Sequence, residues 1–321
     1  MTAAPARPMI GFFAALGLFT ANWVAGIAPA AAQVPQEIAA KLAAIGRVVA
    51  PQETAALYRS AHGIAPYDDI SLIRDVRYGP NDRHRLDIAK PAGLADGARP
   101  AIIFVHGGAF TRGDKSQDGS PFYDNVVVWA ARNGFIGINM TYRRAPEFPW
   151  PAGADDVAAA FVWARLSVAA HGGNPDQIYV MGHSAGATHV AGFLARASAD
   201  LSRAIAGAIL VSGLYELNES TVGDPERAYF GSDPASYSAR EALPGLVSSR
   251  VPLWVGAGEI DRTDFVAQAA RLRQKLCEAG RCPAGGVLAG HSHMSSVYAI
   301  GTADASVTTT LISFIRGARR P

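Results

Sequence analysis

Ser184 sits between two glycines in Gly182-His183-Ser184-Ala185-Gly186. An apolar run, Ile178 to Met181, precedes it, and a stretch with helical character, Ala187 to Ala199, follows. A strand that turns at once into a helix forces the connecting residue into a strained backbone. Glycines on either side let strand and helix pass close together, because they have no Cβ. Ser184 is thereby presented at the end of the strand, in front of a helix N-terminus whose free N–H groups favour a developing negative charge. This is the nucleophile-elbow pattern, and its chemistry is acyl transfer.

A serine hydroxyl is a weak nucleophile. It needs a general base, and the base needs an orienting carboxylate. Two downstream loops offer them in the order serine, acid, histidine: Gly256-Ala257-Gly258-Glu259-Ile260-Asp261 and Gly290-His291-Ser292-His293-Met294. Asp261 lies farther out on its loop than its competitor Glu259 and is the expected acid. Of the two histidines, His291 is close to the strand end and reads as a brace. His293 lies near the loop apex, just before Ser295, which reads as a helix N-cap, and is the expected base. The tetrahedral intermediate also needs donors for its oxyanion. His106-Gly107-Gly108-Ala109-Phe110 follows an apolar run, and consecutive glycines leave backbone N–H groups uncrowded. The N–H groups of Gly108, Ala109 and Ala185 form the expected oxyanion hole, with His106 and Gly107 in support. Taken singly, these residues have bland readings as a flexible turn, an incidental serine or a solvated loop charge. Their order, each at the end of an apolar run, is what sets them apart.

Those runs must therefore be strands with a common edge. Continuous apolar stretches at Ala101–Val105, Phe135–Met140, Gln177–Met181, Ala206–Val211, Pro252–Val255 and Gly286–Ala289 read as buried parallel strands. Helical stretches at Pro121–Arg132, Ala152–Ala170, Ala187–Ala199, Phe265–Ala279 and Ser306–Arg316 separate or follow them. The alternation predicts a mainly parallel α/β sheet covered on both faces. Asp75–Tyr78 and Arg85–Lys90 alternate in polarity and predict an antiparallel hairpin. Gln33–Gly63 predicts one or two helices, as a packing arm or a partial lid. Gly213–Arg250 has no clear period, and its length predicts a wall of the substrate pocket.

The chain has 321 residues, 49% of them hydrophobic and 17% charged, with a net charge of +2. No basic stripe suggests nucleic-acid binding. Arg7, the apolar run Met9–Gly26 and Ala30-Ala31-Ala32 read as a signal peptide over residues 1–32, with a mature start at Gln33. Residues 33–65 would then be the helical arm and 66–321 the catalytic domain, in a periplasmic or secreted protein without a stable membrane anchor. Cys277 and Cys282 lack metal-site spacing, and in an oxidising compartment they read as a disulfide.

With these motifs in hand, the chain resembles the α/β-hydrolase esterases, the group that includes carboxylesterases, hormone-sensitive-lipase-like esterases and kynurenine formamidase-like enzymes. The resemblance runs from about Ile70 to Arg316. It rests on His106–Phe110, on Tyr142-Arg143-Arg144-Ala145-Pro146-Glu147 and Phe148-Pro149-Trp150-Pro151, on Asp155-Asp156, for which it implies a structural role, and on Ser212-Gly213-Leu214-Tyr215-Glu216-Leu217. Ala109 stands where many lipase-like members have a third glycine, and no large insertion forms a cap domain. The resemblance implies a serine carboxylester hydrolase of short-chain, small-molecule esters, with neither metal nor cofactor. An arylformamidase-like amide hydrolase is the nearest alternative, and a non-catalytic binding module of the same fold is a more distant one.

Overall fold

A computed structural model describes residues 1–3, 33–93 and 97–317. Apart from residues 1–3, the expected signal peptide lies outside the described residues.

Eight strands form one sheet. They are β1 (Ile70–Arg77), β2 (Arg85–Pro91), β3 (Arg99–Val105), β4 (Ile136–Met140), β5 (Gly173–His183), β6 (Gly207–Val211), β7 (Leu253–Gly258) and β8 (Val287–Leu288). Their order is β1-β2-β4-β3-β5-β6-β7-β8. The β1–β2 and β2–β4 pairings are antiparallel, and every pairing from β4 to β8 is parallel. The antiparallel edge is the hairpin expected from its alternating polarity. The parallel part follows from strands apolar on both sides. On β3, Ile103 and Val105 join one core while Ile102 and Phe104 join the other, and β5 divides Ile178 and Val180 from Tyr179 and Met181 in the same way.

Twelve α-helices surround the sheet among the described residues. The arm holds α1 (Gln36–Ile45) and α2 (Pro51–Tyr58). Then come α3 (Asp124–Arg132), α4 (Ala152–Ser167), α5 (Ala185–Arg196), α6 (Ala199–Ala204), α7 (Asp224–Phe230), α8 (Tyr237–Arg240), α9 (Leu243–Ser248), α10 (Thr263–Glu278), α11 (Ser295–Tyr298) and α12 (Ser306–Gly317). Residues of α4, α5, α9 and α10 enter the core on one face, and residues of α3, α11 and α12 enter the core on the other. The stretch 213–250, without clear period in sequence, contains three short helices, α7 to α9. Leu217, Val222, Tyr229, Phe230 and Tyr237 from it pack with Phe110 and Ala185 into a third apolar cluster. Ser295 differs from expectation. It is the first residue of α11 and not its N-cap, and its hydroxyl accepts from the Ser292 N–H at 2.8 Å. Cys277 and Cys282 form a disulfide between the end of α10 and the loop beyond it. Among the described residues no helix is long and apolar enough to cross a membrane.

The arm does not stand apart from the catalytic loops. The Arg47 guanidinium donates to the Asp261 carbonyl at 3.1 Å, Arg59 donates to the Gly119 carbonyl at 3.0 Å, and His62 Nε2 donates to the Tyr298 carbonyl at 2.7 Å.

Candidate active site

Ser184 joins β5 directly to α5 with φ 56° and ψ −126°, in the left-handed half of the map that a side chain rarely adopts. The flanking glycines make this turn possible. A methyl on Gly182 would press on the Ala187 backbone at 2.6 Å, and one on Gly186 would overlap the Val105 carbonyl oxygen at the end of β3. Helix, elbow and neighbouring strand thus pass at backbone distance, with Ser184 part-exposed at the strand's C-terminal end.

The next loop meets it from β3. A methyl on Gly107 would lie 3.0 Å from Ser184 Cβ. Gly108 has φ 140°, and Ala109 and Phe110 follow with φ 50° and 64°. Arg112 N–H donates to the Gly108 carbonyl at 3.0 Å and Thr111 N–H to that of Ala109 at 2.7 Å. The carbonyls of Gly108 and Ala109 are thereby engaged in the turn. Their N–H groups, and that of Ala185 in the first turn of α5, have no acceptor among the described residues. His106 is fully buried. Its Nδ1 donates to the Gly107 carbonyl at 2.6 Å, and its ring stacks on Tyr142 at 4.5 Å. Burial pushes its pKa down to about 4, so it remains neutral near neutral pH and acts as a brace.

At the end of β7, Asp261 is fully buried. Its Oδ1 and Oδ2 lie 2.9 and 3.1 Å from His293 Nδ1. A carboxylate only accepts, so Nδ1 carries the proton, and in the neutral imidazole Nε2 then holds the lone pair that a base requires. Burial opposes the charge on Asp261. The facing His293 and its hydrogen bond, with the Arg262 N–H at 2.7 Å, outweigh it and hold the carboxyl below its ordinary pKa.

The rival residues are engaged elsewhere. Glu259 Oε2 accepts from the Gly290 N–H at 2.8 Å and so ties the acid loop to the histidine loop. His291 is held by Ser295 Oγ at 3.1 Å and Ser306 Oγ at 2.7 Å, with Asp304 Oδ2 at 3.8 Å, and burial lowers its pKa. The expected pair at Asp155-Asp156 divides likewise. Asp155 pairs with Arg196 at the surface, while Asp156 is buried and accepts from the Arg143 N–H at 2.7 Å, the Arg143 guanidinium and His84 Nε2.

One participant escaped sequence reasoning. His183, the residue before Ser184, is buried, and its Nε2 donates to the His293 carbonyl at 3.0 Å, with the two rings 4.7 Å apart. Burial and the neighbouring His293 push its pKa down to about 3. It therefore stays a neutral donor that fixes the backbone of His293 to the elbow. The signal in sequence was only a histidine inside the Gly-X-Ser-X-Gly string, where any residue fits the pattern. Among the described residues no group of three or more His, Cys, Asp or Glu converges to hold a metal.

A cleft of about 650 Å³ lies nearby and is not lined by Ser184. It lies between α2, the loop from Gly113 to Tyr123 and Tyr298 of α11. Gly113 connects it to the oxyanion loop, since a methyl there would overlap the Gly107 carbonyl oxygen.

The fold is that of an α/β hydrolase, and residues 102–247 match the family model described as alpha/beta hydrolase fold. It is 31% identical over 227 residues to esterase LipQ of Mycobacterium tuberculosis, a stretch covering 64% of this chain and 53% of that protein. It is 36% identical over 113 residues to carboxylesterase NlhH of the same species, covering 35% and 32%. The chain thus spans about half or less of the curated relatives it matches. A bacterial heroin esterase shares the fold with a TM-score of 0.67 at 23% identity, over 90% of this chain and 99% of that one. Esterase B from Lactobacillus rhamnosis gives 0.68 at 19%, over 88% and 95%.

Proposed function

We propose that this protein is an exported serine carboxylester hydrolase acting on short-chain esters. Ser184 attacks the ester carbonyl while His293 Nε2 takes its proton. Asp261 holds the imidazole in register and stabilises its charged form. The N–H groups of Gly108, Ala109 and Ala185 receive the oxyanion. His293 then returns the proton to the departing alcohol, leaving Ser184 acylated. Water enters, gives a proton to His293 and attacks the acyl carbon. The acid is released and the serine is restored, so that ester and water become acid and alcohol with no other reagent. The observation that carries the reading is the buried His293–Asp261 pair at 2.9 Å, on loops from the same strand ends that present the elbow serine. The esterase names of the sequence relatives agree with it. The apolar residues Phe110, Leu217, Tyr229, Phe230 and Tyr237 pack beside Ala185 and would border the acyl chain of a short ester.

The test is turnover of aryl esters from acetyl to decanoyl, beside N-formylkynurenine, with fluorophosphonate labelling. Acetyl to butyryl esters should be cleaved faster than chains of ten carbons, and Ser184→Ala should neither label nor turn over. A Ser184→Ala protein keeping more than about a tenth of kcat, a loss of only about 1.4 kcal/mol, would sink the mechanism. Faster cleavage of the formamide would move the assignment to the amidase reading.

Export rests on Arg7, the apolar run and the Ala30-Ala31-Ala32 site, with the Cys277–Cys282 disulfide in accord. Intact mass of the periplasmic or secreted protein should begin at Gln33, with no alkylatable thiol before reduction.

A further inference from the structure

We infer that the cleft beside α2 receives the alcohol portion of the substrate, and that Arg59 and Arg144 select alcohols bearing an anionic group such as a carboxylate. The inference deepens the esterase reading and rests on it.

Three observations carry it. The first is charge. Both arginines line the cleft, and neither guanidinium has a carboxylate within 4.0 Å among the described residues. Arg59 donates to the Gly119 carbonyl at 3.0 Å and Arg144 to the Gly113 carbonyl at 3.4 Å, both of them neutral oxygens. The cleft's own carboxylate, Asp114, is drawn off by Arg83 at 3.2 Å. In a chain where Arg74, Arg132, Arg143, Arg196 and Arg262 each meet an aspartate, two arginines left to carbonyls in one polar cleft are a standing site for a carboxylate.

The second is position. In the ester hydrolysis proposed above, the leaving oxygen must lie at His293 Nε2, so the alcohol extends toward the histidine side. Tyr298, on the helix that directly follows His293, forms one wall of the cleft, while Gly113 joins the cleft to the oxyanion loop. The apolar cluster with Ala185 and Phe110 is left for the acyl chain. The third is chemistry of the lining. Gln117 and Ser120 add neutral polar groups, and Phe122 stacks on Tyr298 at 3.9 Å to give an aromatic wall. An aryl alcohol with a carboxylate at its far end matches these features. At about 650 Å³ the cleft is of the size that takes small ligands.

The experiment compares 4-acetoxybenzoate with the neutral 4-acetoxybenzamide on the wild type and on the double variants Arg59→Gln/Arg144→Gln and Arg59→Lys/Arg144→Lys. It also measures binding of the two free phenols by titration calorimetry. The glutamine pair should raise KM for the anionic ester about tenfold with kcat unchanged, and should leave the neutral ester within about twofold. The lysine pair should recover most of the loss. The preference for the anionic ester in the wild type should shrink as salt is raised from 20 mM to 500 mM, about the range over which such charges become screened. Equal KM changes for both esters, or none for either, overturn the inference. Failure of the wild type to cleave the neutral ester counts against the esterase reading. In that case the calorimetric arm still decides the cleft: 4-hydroxybenzoate must bind more tightly than 4-hydroxybenzamide, and the glutamine pair must abolish the difference.

Discussion

Replacing Asp261 with Asn tests the site at its most buried charge. The two side chains have nearly the same shape, so the perturbation is electrostatic. Asp261 Oδ1 lies 2.9 Å from His293 Nδ1, and neither side chain is more than 1% exposed. When the proton moves to His293, an imidazolium faces this carboxylate with charge centres about 4 Å apart. At an effective dielectric of about 20 that attraction is about 4 kcal/mol. The serine's transition state has it and the resting neutral histidine does not, so most of it is lost from kcat, a factor of about 10³. An asparagine amide can also donate to Nδ1 and turn the imidazole into the wrong tautomer, which extends the loss toward about 10⁴. KM should move by less than about threefold. The assay is steady-state hydrolysis of an aryl acetate, with circular dichroism melting to show that the fold persists. Glu259→Gln is the matched control. Among the described residues its carboxylate receives only the Gly290 N–H, at 2.8 Å, and its kcat should stay within about tenfold of wild type. A folded Asp261→Asn protein retaining a tenth of kcat, or a Glu259→Gln protein that is the dead one, would refute the reasoning.

His293→Ala should lower kcat about 10³-fold or more. His291→Ala, which removes the contacts to Ser295 and Ser306, should instead lower the melting temperature with a much smaller loss of kcat. Gly186→Ala should fail to accumulate as soluble protein or melt far below wild type, because its methyl has no room against the Val105 and His106 carbonyls. Stability should fall with acid. His106, His183 and His189 are fully buried with pKa values pushed down to about 4, 3 and 3 from 6.5. Below pH 6.5 the unfolded chain takes up their protons and the folded chain does not, so each removes up to about 1.4 kcal/mol per pH unit until its folded pKa is reached. Urea midpoints at pH 7.5 and 5.5 measure it, and a midpoint that rises toward pH 5.5 contradicts the sign.

The parts of the fold legible in sequence are those governed by one strong local rule. Runs apolar on both faces marked β3 to β7, because a strand sandwiched between helices leaves no solvated side. Glycines marked the elbow and the oxyanion loop, because two backbones cannot approach closely past a Cβ. Where tertiary contacts decide, sequence said less. β5 begins at Gly173 and not near Gln177, since its polar start is recruited by pairing of Gly173 with Arg99. β8 shrinks to Val287–Leu288, because only those residues pair with Ala257 and Gly258. Ser295 was readable as a cap by type alone, but the Ser292 turn claims its hydroxyl. The choice between His291 and His293 depended on which ring faces β7, which loop position could only suggest. His183 was invisible in its role, because its partner is a backbone carbonyl 110 residues away.

The attachment of the arm also bears on the order in which the molecule can be completed. Arg47 and His62 leave the ribosome early, yet their carbonyl partners on Asp261 and Tyr298 lie 214 and 236 residues later. Closing loops of that length is entropically slow compared with forming local helices. Unlike the Arg59–Gly119 bond, whose partners are 60 residues apart, these two contacts must wait until most of the chain is present. Only then can the arm fasten the acid loop and the helix behind His293. A chain interrupted before Asp261 lacks both of the carbonyls that hold Arg47 and His62. Synthesis from one end thus builds a protein in which the arm can hold the loop of Asp261 and the helix after His293 only once residues far downstream have been added.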